Sequence, residues 1–444
     1  MHRARLHGRS WSAGREGLGG ERYRGFVTVT TDYREETGYG GTELSRQLRS
    51  MSTQLTPQLV SWRRHLHVIP ELAFQEAETA AFVAKTLREI GGYDVREHVG
   101  GTGVVADLRI GNSPRILLRA DMDALPVTEL RRVSWRSHNE GVMHACGHDG
   151  HMSMLLGAAS ILADLVHQGR KNVNVRLLFQ PAEEASGPNG EGGARSTIDD
   201  GVLDGVEAAL ALHLEPGHDL GVINFGSGYV MGSVDVFTGV IRGRGGHAAR
   251  PEETVDPFWL LTPVLSAIQG IVSRRISPLE SALVSLCHLT GGDISNVIPA
   301  EVVLEGTMRS FKPDIRARLH DELRAAFGIA QTLGGEVELS IQEESPPLYN
   351  DPDVYVNVMG AVRALDIAEL THEGPYGLIG EDFSEIAARV PAAMVMLGCA
   401  PSSGPRSLHS PDFDIDERVL ERGAALLALG SLALGRVRRH QQSG

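Results

Sequence analysis

Four apolar segments that resemble buried strands are each followed by acidic or histidine side chains. The segments cover residues 115–120, 173–179, 208–212 and 393–398, and apolar residues predominate in each of them, as in strands buried on both faces. The side chains that follow them are Asp121 and Asp123, Glu183 and Glu184, His213, and His409. Each one alone has an ordinary explanation as a turn, a solvated surface or a structural histidine. Together they predict a ligand site, because the carboxyl ends of buried strands meet at one edge of an open sheet.

The alternation of these strands with helical segments predicts an α/β fold, with a mixed sheet flanked by helices, for residues 52–229 and 347–444. Between them, residues 230–346 follow the order β-α-β-β-α-β, which predicts an inserted ferredoxin-like α+β domain. A length of 444 residues is enough for two or three domains of ordinary size.

The first residues differ from the rest of the chain. Residues 1–51 are rich in arginine and glycine, without helical or strand periodicity, and their acidic residues are atypical of a transit peptide. We expect either a disordered tail or upstream sequence that precedes a true start at Met51. Pro57 suits the first turn of a helix, so the first helix is predicted to begin near Thr56.

Charge and cysteine content exclude several classes of function. The formal net charge of -14 argues against nucleic acid or an anionic membrane surface as the main partner. No apolar run approaches the roughly 20 residues of a membrane span. Three scattered cysteines are too few for a disulfide framework, and an odd count predicts a reducing compartment, the cytoplasm.

The segment from Gly141 to His151 concentrates metal-binding side chains, with three histidines, a cysteine and an aspartate among its last eight residues. Cysteine and histidine bind borderline-soft divalent metals. Cys146 and His148 are two positions apart and would point to different faces of a helix, so they can share a metal only from a loop or an extended segment. A histidine-rich turn with a buried cysteine is the alternative.

Several further motifs occur in a fixed order along the chain. They are Arg119–Pro126, Met143–His148, Phe179–Glu184, Gly245–Ala249, Asn296–Pro299, Gly306–Arg309, Glu381–Phe383 and Leu408–Pro411. With these motifs the chain resembles, from about Val60 to Leu427, the amidohydrolase branch of the aminoacylase and carboxypeptidase-G superfamily of two-metal hydrolases. That branch includes hippurate hydrolases, N-acyl-amino-acid amidohydrolases and auxin-conjugate hydrolases.

The resemblance implies two divalent metal ions per subunit and a specific set of ligands. The implied ligands are Cys146, His148, Glu184, His213 and His409. In this set the cysteine takes the place of a bridging aspartate and would contact both ions. Thiolate and imidazole ligands suit zinc, cobalt or nickel, while the carboxylate and the habit of the family leave manganese open.

The resemblance also implies how the amide bond of an N-acyl amino acid or a similar conjugate is cleaved. Glu183 would be the general base that takes a proton from the attacking water. His247, Asn296 and Arg309 would hold the substrate carboxylate or the developing oxyanion, partly across a homodimer formed by the inserted domain. For Arg309, a bidentate carboxylate clamp and a pair with a structural acid both remain open.

Two local requirements follow from this assignment. Adjacent residues of an extended chain point to opposite sides, so the chain must bend after Pro181 if Glu183 and Glu184 are both to face the cleft. Asp121 or Asp123 would accept the second N–H of a ligand histidine, and we favour Asp123. Alternative functions are a dipeptidase or aminopeptidase of the same superfamily and a non-catalytic metal-binding relative.

Overall fold

The computed structural model describes residues 43–187 and 191–442, with side chains as far as residue 436. The helices are α1 (Glu43–Val68), α2 (Ala77–Ile90), α3 (His148–His167), α4 (Gly193–Asp199), α5 (Pro257–Arg275), α6 (Pro313–Thr332), α7 (Pro352–Leu365), α8 (Phe383–Ala387) and α9 (Val419–Gln442). The first strands are β1 (Asp94–Val99), β2 (Gly103–Ile110), β3 (Arg115–Asp121), β4 (Val173–Gln180), β5 (Val206–Asp219), β6 (Val222–Asn224), β7 (Gly228–Met231) and β8 (Val234–Arg242). The remaining strands are β9 (Gly246–His247), β10 (Ala282–Thr290), β11 (Val297–Ile298), β12 (Glu301–Ser310), β13 (Glu336–Ser345), β14 (Leu348–Asn350), β15 (Leu370–His372) and β16 (Ala392–Ala400).

A sheet of eight strands in the order β1-β2-β4-β3-β5-β16-β6-β15 forms the centre of the molecule. The four central strands run parallel, whereas β2 is antiparallel to both of its neighbours. Helices α1, α3 and α9 contribute to the larger hydrophobic core of this sheet, and α4 and α8 pack against its other face. The predicted α/β fold with a mixed sheet flanked by helices is therefore confirmed.

The first helix begins earlier than the sequence suggested. Helix α1 starts at Glu43 and carries Pro57 in its interior, so the predicted start near Thr56 is wrong. Its first turns are held by packing, since Leu48 is fully buried in the main core. The tail prediction therefore fails for residues 43–51, and residues 1–42 lie outside the described part of the chain.

The inserted segment forms a second, four-stranded sheet in the order β10-β12-β8-β13, with all neighbours antiparallel. Helices α5 and α6 cover one face of this sheet and share its core. Strand order and connectivity match the predicted ferredoxin-like arrangement. The exact domain boundaries at residues 230 and 346 stay a prediction.

Helix α3 is apolar around most of its circumference, and most of its side chains are buried. It packs between α1, α9 and the sheet, as expected of a helix that is apolar on nearly all sides. Among residues 43–187 and 191–442, no helix has the length and hydropathy needed to cross a membrane.

Candidate metal centre

The five side chains that the resemblance implies as ligands meet at the carboxyl edge of the parallel strands. Cys146, His148 and His213 form one group, and Cys146, Glu184 and His409 form a second. Within each group the possible ligand atoms lie within 4.8 Å of one another. The Cys146 Sγ atom is 3.5 Å from His213 Nε2, and Glu184 Oε1 is 3.2 Å from His409 Nε2. Cys146 is therefore common to two potential three-ligand sites.

Gly147 lets Cys146 and His148 face the same centre. It has a φ of 92°, and α3 begins at the next residue, so Cys146 precedes the helix while His148 occupies its first turn. Such a left-handed conformation is easily adopted by glycine. Burial and the charges of Glu184 and Glu183 raise the pKa of the Cys146 thiol well above its usual range. Adjacent cations would be needed to keep it as a thiolate.

The two buried histidines present the same ring nitrogen to the centre. His148 Nδ1 donates to the main-chain oxygen of Asp123 at 2.8 Å, and His213 Nδ1 donates to the main-chain oxygen of Leu214 at 2.8 Å. In the neutral ring, each Nε2 atom then carries the lone pair that can bind a metal. His148 Nε2 is buried without a hydrogen-bond partner. An orphaned polar atom of this kind fits a bound divalent cation.

His213 lies inside a strand rather than after its end. Strand β5 continues to Asp219, whereas the sequence pattern predicted an end at Leu212. The extension pairs with β16, as His213 with Met396 and Leu214 with Leu397. The apolar run is interrupted at His213, which faces the ligand groups, whereas the next residue, Leu214, is again buried in the main core.

A bend after Pro181 allows two adjacent carboxylates to face one cleft. Ala182 has a φ of 48°, in the left-handed region that alanine rarely adopts. The main-chain N–H groups of Glu183 and Glu184 donate to the carboxylate of Asp123 at 3.1 and 2.9 Å. The bend required by the sequence argument is thus present, and Asp123 holds it in place.

The role expected of Asp123 is divided between its main chain and its side chain. Its carbonyl oxygen accepts the hydrogen bond from His148, while its Oδ1 atom is 3.4 Å from His148 Nδ1. Its carboxylate instead accepts the N–H groups of the bend. The sequence could not separate the two, because a main-chain acceptor has no residue signature.

Sequence reasoning gave no role to the buried Arg119, which lies in β3. Its guanidinium contacts Asp121 at 2.6 Å and both Glu381 and Asp382 at 2.9 Å, and its Nε atom donates to Gln180. An arginine within an otherwise apolar strand was the available signal, because a buried charge requires ionic partners. This cluster ties β3 and β4 to the segment before α8.

The charges around Glu183 increase its affinity for a proton. Burial raises the pKa of Glu183 well above its usual range, and Glu381, Glu184 and Asp382 add to that rise, whereas Arg119 opposes it. Glu183, Glu381 and Asp382 place carboxylate oxygens within 4.8 Å of one another. A carboxylate with this environment can hold a proton that it has accepted.

His151 also lies beside the centre, but both of its ring nitrogens are engaged. Nδ1 is bonded to Asp121 at 2.6 Å, and Nε2 accepts the main-chain N–H of Leu214 at 2.9 Å. Burial lowers the pKa of His151 to about 4, so the ring is neutral. His151 therefore supports the centre through these two hydrogen bonds.

The three residues implied for substrate binding are not brought together in one chain. Exposed His247 lies next to Asn296, through the pairing of β9 with β11 and a bond from Ala248 N–H to the Asn296 main-chain oxygen. Both lie near the end of the inserted sheet where Arg242 pairs with Glu301.

Arg309 lies at the other end of β12, about 26 Å from Glu301 along an extended strand. There the Arg309 guanidinium lies close to Gly380, beside the Arg119 cluster. A Cβ atom added to Gly380 would be 3.3 Å from Arg309 Nη1. Glu344 is an acid close to Arg309. Burial raises the pKa of Glu344, and the positive charge of Arg309 opposes this rise.

Comparison with known proteins identifies the family of the chain. Residues 117–430 match peptidase family M20/M25/M40. The chain is 37% identical over 379 residues to N-acetyl-L-cysteine deacetylase of Bacillus subtilis (strain 168), covering 84% of this chain and 87% of the relative. It is 36% identical over 402 residues to thermostable carboxypeptidase 2 of Saccharolobus solfataricus, covering 87% and 98%.

A solved structure extends the comparison to three dimensions. A dinuclear metal-binding peptidase of the M20 family from Bacillus subtilis superposes with a TM-score of 0.74 at 31% identity, covering 86% of this chain and 99% of that one. Together with the candidate ligand groups, this similarity supports bound divalent metal ions. The resemblance drawn from the sequence motifs is confirmed: the chain belongs to peptidase family M20/M25/M40 and is a hydrolase of amide or peptide bonds.

Proposed function

We propose that the protein is a two-metal amidohydrolase that removes the acyl group from an N-acyl amino acid or a similar conjugate, of hippurate or N-acetyl-amino-acid type. The observation that carries the proposal is the pair of three-ligand groups that share Cys146. Two ions bound by these groups would share Cys146 as an anionic ligand, which suits a dinuclear centre. The similarity to an N-acetyl-L-cysteine deacetylase supports the substrate class.

The proposed ligands are Cys146, His148 and His213 for one ion, and Cys146, Glu184 and His409 for the other. When bound, two divalent cations would activate a water molecule and polarise the amide carbonyl. The ligand set suits zinc, cobalt or nickel, and its carboxylate leaves manganese possible. The unpaired thiol of Cys146 is in keeping with the cytoplasmic localisation that we propose.

Glu183 is the proposed general base. It adjoins the ligand Glu184 and faces the same cleft, with its Oε2 atom 4.0 Å from His148 Nε2. Its raised proton affinity suits a group that takes a proton from water and delivers it to the leaving nitrogen. Asp123 contributes by fixing the bend that aims this carboxylate.

Substrate binding is proposed to involve two copies of the chain. Arg309 stands beside the Arg119 cluster and would hold the substrate carboxylate. His247 and Asn296 of a partner copy would reach the same substrate, because those of the same chain lie at the far end of β12. A homodimer through the inserted domain is therefore part of the proposal.

The similarity to a thermostable carboxypeptidase favours a peptidase as the second candidate. A dipeptidase or aminopeptidase would bind a free substrate amine with an unpaired acid. Glu381 and Asp382, which form an acidic group with Glu183, are both in ion pairs with Arg119, so neither is an unpaired acid. A screen of acyl amino acids against dipeptides, run with each candidate metal, separates the two functions.

The test of the proposed chemistry is Glu183→Ala. We expect hydrolysis of acyl amino acids to fall at least about 10³-fold, because general-base catalysis is lost. Metal analysis of the purified variant should still find two ions per chain. Glu191→Ala, which removes an exposed glutamate from the same loop, is the matched control and should retain activity. Hydrolysis by Glu183→Ala near the wild-type rate would show that the assigned mechanism is wrong.

A further inference from the structure

Strand β5 continues past the end of its neighbour β3 at the metal centre. The pairing of the two strands ends at Arg119 and Ala211, whereas His213 and Leu214 lie further along β5. On this stretch the main-chain N–H of Leu214 donates to His151 Nε2 at 2.9 Å. A side chain of α3 thus fixes the main chain beside a proposed metal ligand.

The other side of His151 is fixed as firmly. Its Nδ1 atom is 2.6 Å from Asp121 Oδ1, and the second carboxylate oxygen of Asp121 is 2.6 Å from Arg119 Nη1. All three side chains are at least 98% buried. Since the Leu214 N–H can only donate, His151 Nε2 must accept, and the ring proton lies on Nδ1 facing the carboxylate.

Leu214 connects this arrangement to the metal centre. Its carbonyl oxygen accepts the hydrogen bond from His213 Nδ1 at 2.8 Å, and the rings of His151 and His213 are 4.7 Å apart. His151 therefore fixes the position of Leu214, and Leu214 in turn fixes the orientation and tautomer of His213. The hydrogen bonds run from Arg119 through Asp121 and His151 to Leu214 and His213.

We propose that His151 is a positioning residue that holds His213 in its metal-binding orientation, with Asp121 and Arg119 setting the tautomer of His151. This inference rests on the proposed function, in which His213 binds a metal ion. A role of His151 as a ligand does not fit, because both of its nitrogens are engaged. If His151 only filled space in the core, metal binding would not depend on where a replacement side chain places its polar atoms.

The experiment compares His151→Asn with His151→Gln, using Co²⁺ as the probe. The longer glutamine places its amide near the position of Nε2 and can accept the Leu214 N–H, whereas asparagine reaches only the position of Nδ1. We expect His151→Asn to weaken Co²⁺ binding at one of two sites by about 10- to 100-fold. His151→Gln should recover most of that affinity, and the thiolate-to-cobalt absorption band should remain in both variants.

Two further variants keep the test decisive. Asp121→Asn retains the shape of the carboxylate but turns an N–H₂ group toward His151, which favours the wrong tautomer and should weaken the same site. It provides the answer if His151→Asn does not fold. His320→Phe removes another buried histidine that contacts an aspartate, in the inserted domain, and should bind Co²⁺ as the wild type does.

Each possible result bears on the inference. Equal Co²⁺ affinities for His151→Asn, His151→Gln and the wild type would overturn it, and so would equal losses in the two variants. Weakening by His320→Phe of the same size would show a general loosening of the fold instead. If the wild type itself binds fewer than two Co²⁺ ions, the proposed function fails rather than the role of His151.

Discussion

The metal centre and the distal end of the inserted domain hold their functional side chains in different ways. At the centre, the rings of His148 and His213 and the main-chain N–H of Glu183 donate hydrogen bonds to buried acceptors. At the distal end, His247 and Asn296 are exposed, and a two-residue strand pair aligns them. The centre is therefore organised by one chain, whereas the distal end is suited to contact with another molecule. Separate measurements of metal binding and hydrolysis can test this division.

The largest effect is expected from Cys146→Ala. Loss of the ligand common to both groups should lower metal content below two ions per chain and reduce hydrolysis by about 10³-fold, since metal activation contributes several kcal/mol. His247→Ala should also reduce hydrolysis but keep both ions. Metal analysis and a hydrolysis assay on the two variants check this. A loss of metal in His247→Ala would contradict the independence of the two regions.

Arg119→Met should give the next largest effect, on stability. The variant leaves Asp121, Glu381 and Asp382 buried without their cation, which should cost about 3–5 kcal/mol of unfolding free energy. Urea unfolding followed by circular dichroism measures the change. Arg242→Met removes an arginine with two acidic partners near the distal end, where the side chains are exposed. An equally large loss in that control would mean that burial does not distinguish the two regions.

The smallest effect comes from mixing two inactive variants. If His247 acts on the site of a partner, dimers that combine His247→Ala with Arg309→Ala contain one intact site out of two. Subunit exchange should then restore about a quarter of the wild-type activity, for random pairing in a symmetric dimer. Hydrolysis is measured before and after exchange, and a mixture of His247→Ala with itself is the control. Failure to recover activity despite confirmed exchange would place both residues in the same-chain site.

Residue types and spacing predicted which edge of the sheet carries the polar side chains, whereas the ligand set and the role of Glu183 came from the family resemblance. Strands that end in polar residues identified the edge of the sheet where the ligand groups lie. The need for adjacent Glu183 and Glu184 to face one cleft predicted a bend after Pro181, which is present at Ala182. These inferences succeed because they depend on local geometry and on the chemistry of the side chains.

Features that depend on distant contacts could not be predicted in this way. Pro57 suggested a helix start, but packing of Leu48 against the core extends α1 by several turns. Glu381 is 262 positions from Arg119, so nothing local indicated their contact. The separation of His247 from Arg309 likewise depends on the register between β8 and β12, which the sequence pattern did not specify.

Asp123 joins two parts of the centre that are usually considered separately. Its carbonyl oxygen orients the imidazole of His148, and its carboxylate orients the bend that carries Glu183. A displacement of Asp123 would therefore disturb both the proposed ligand His148 and the proposed base Glu183.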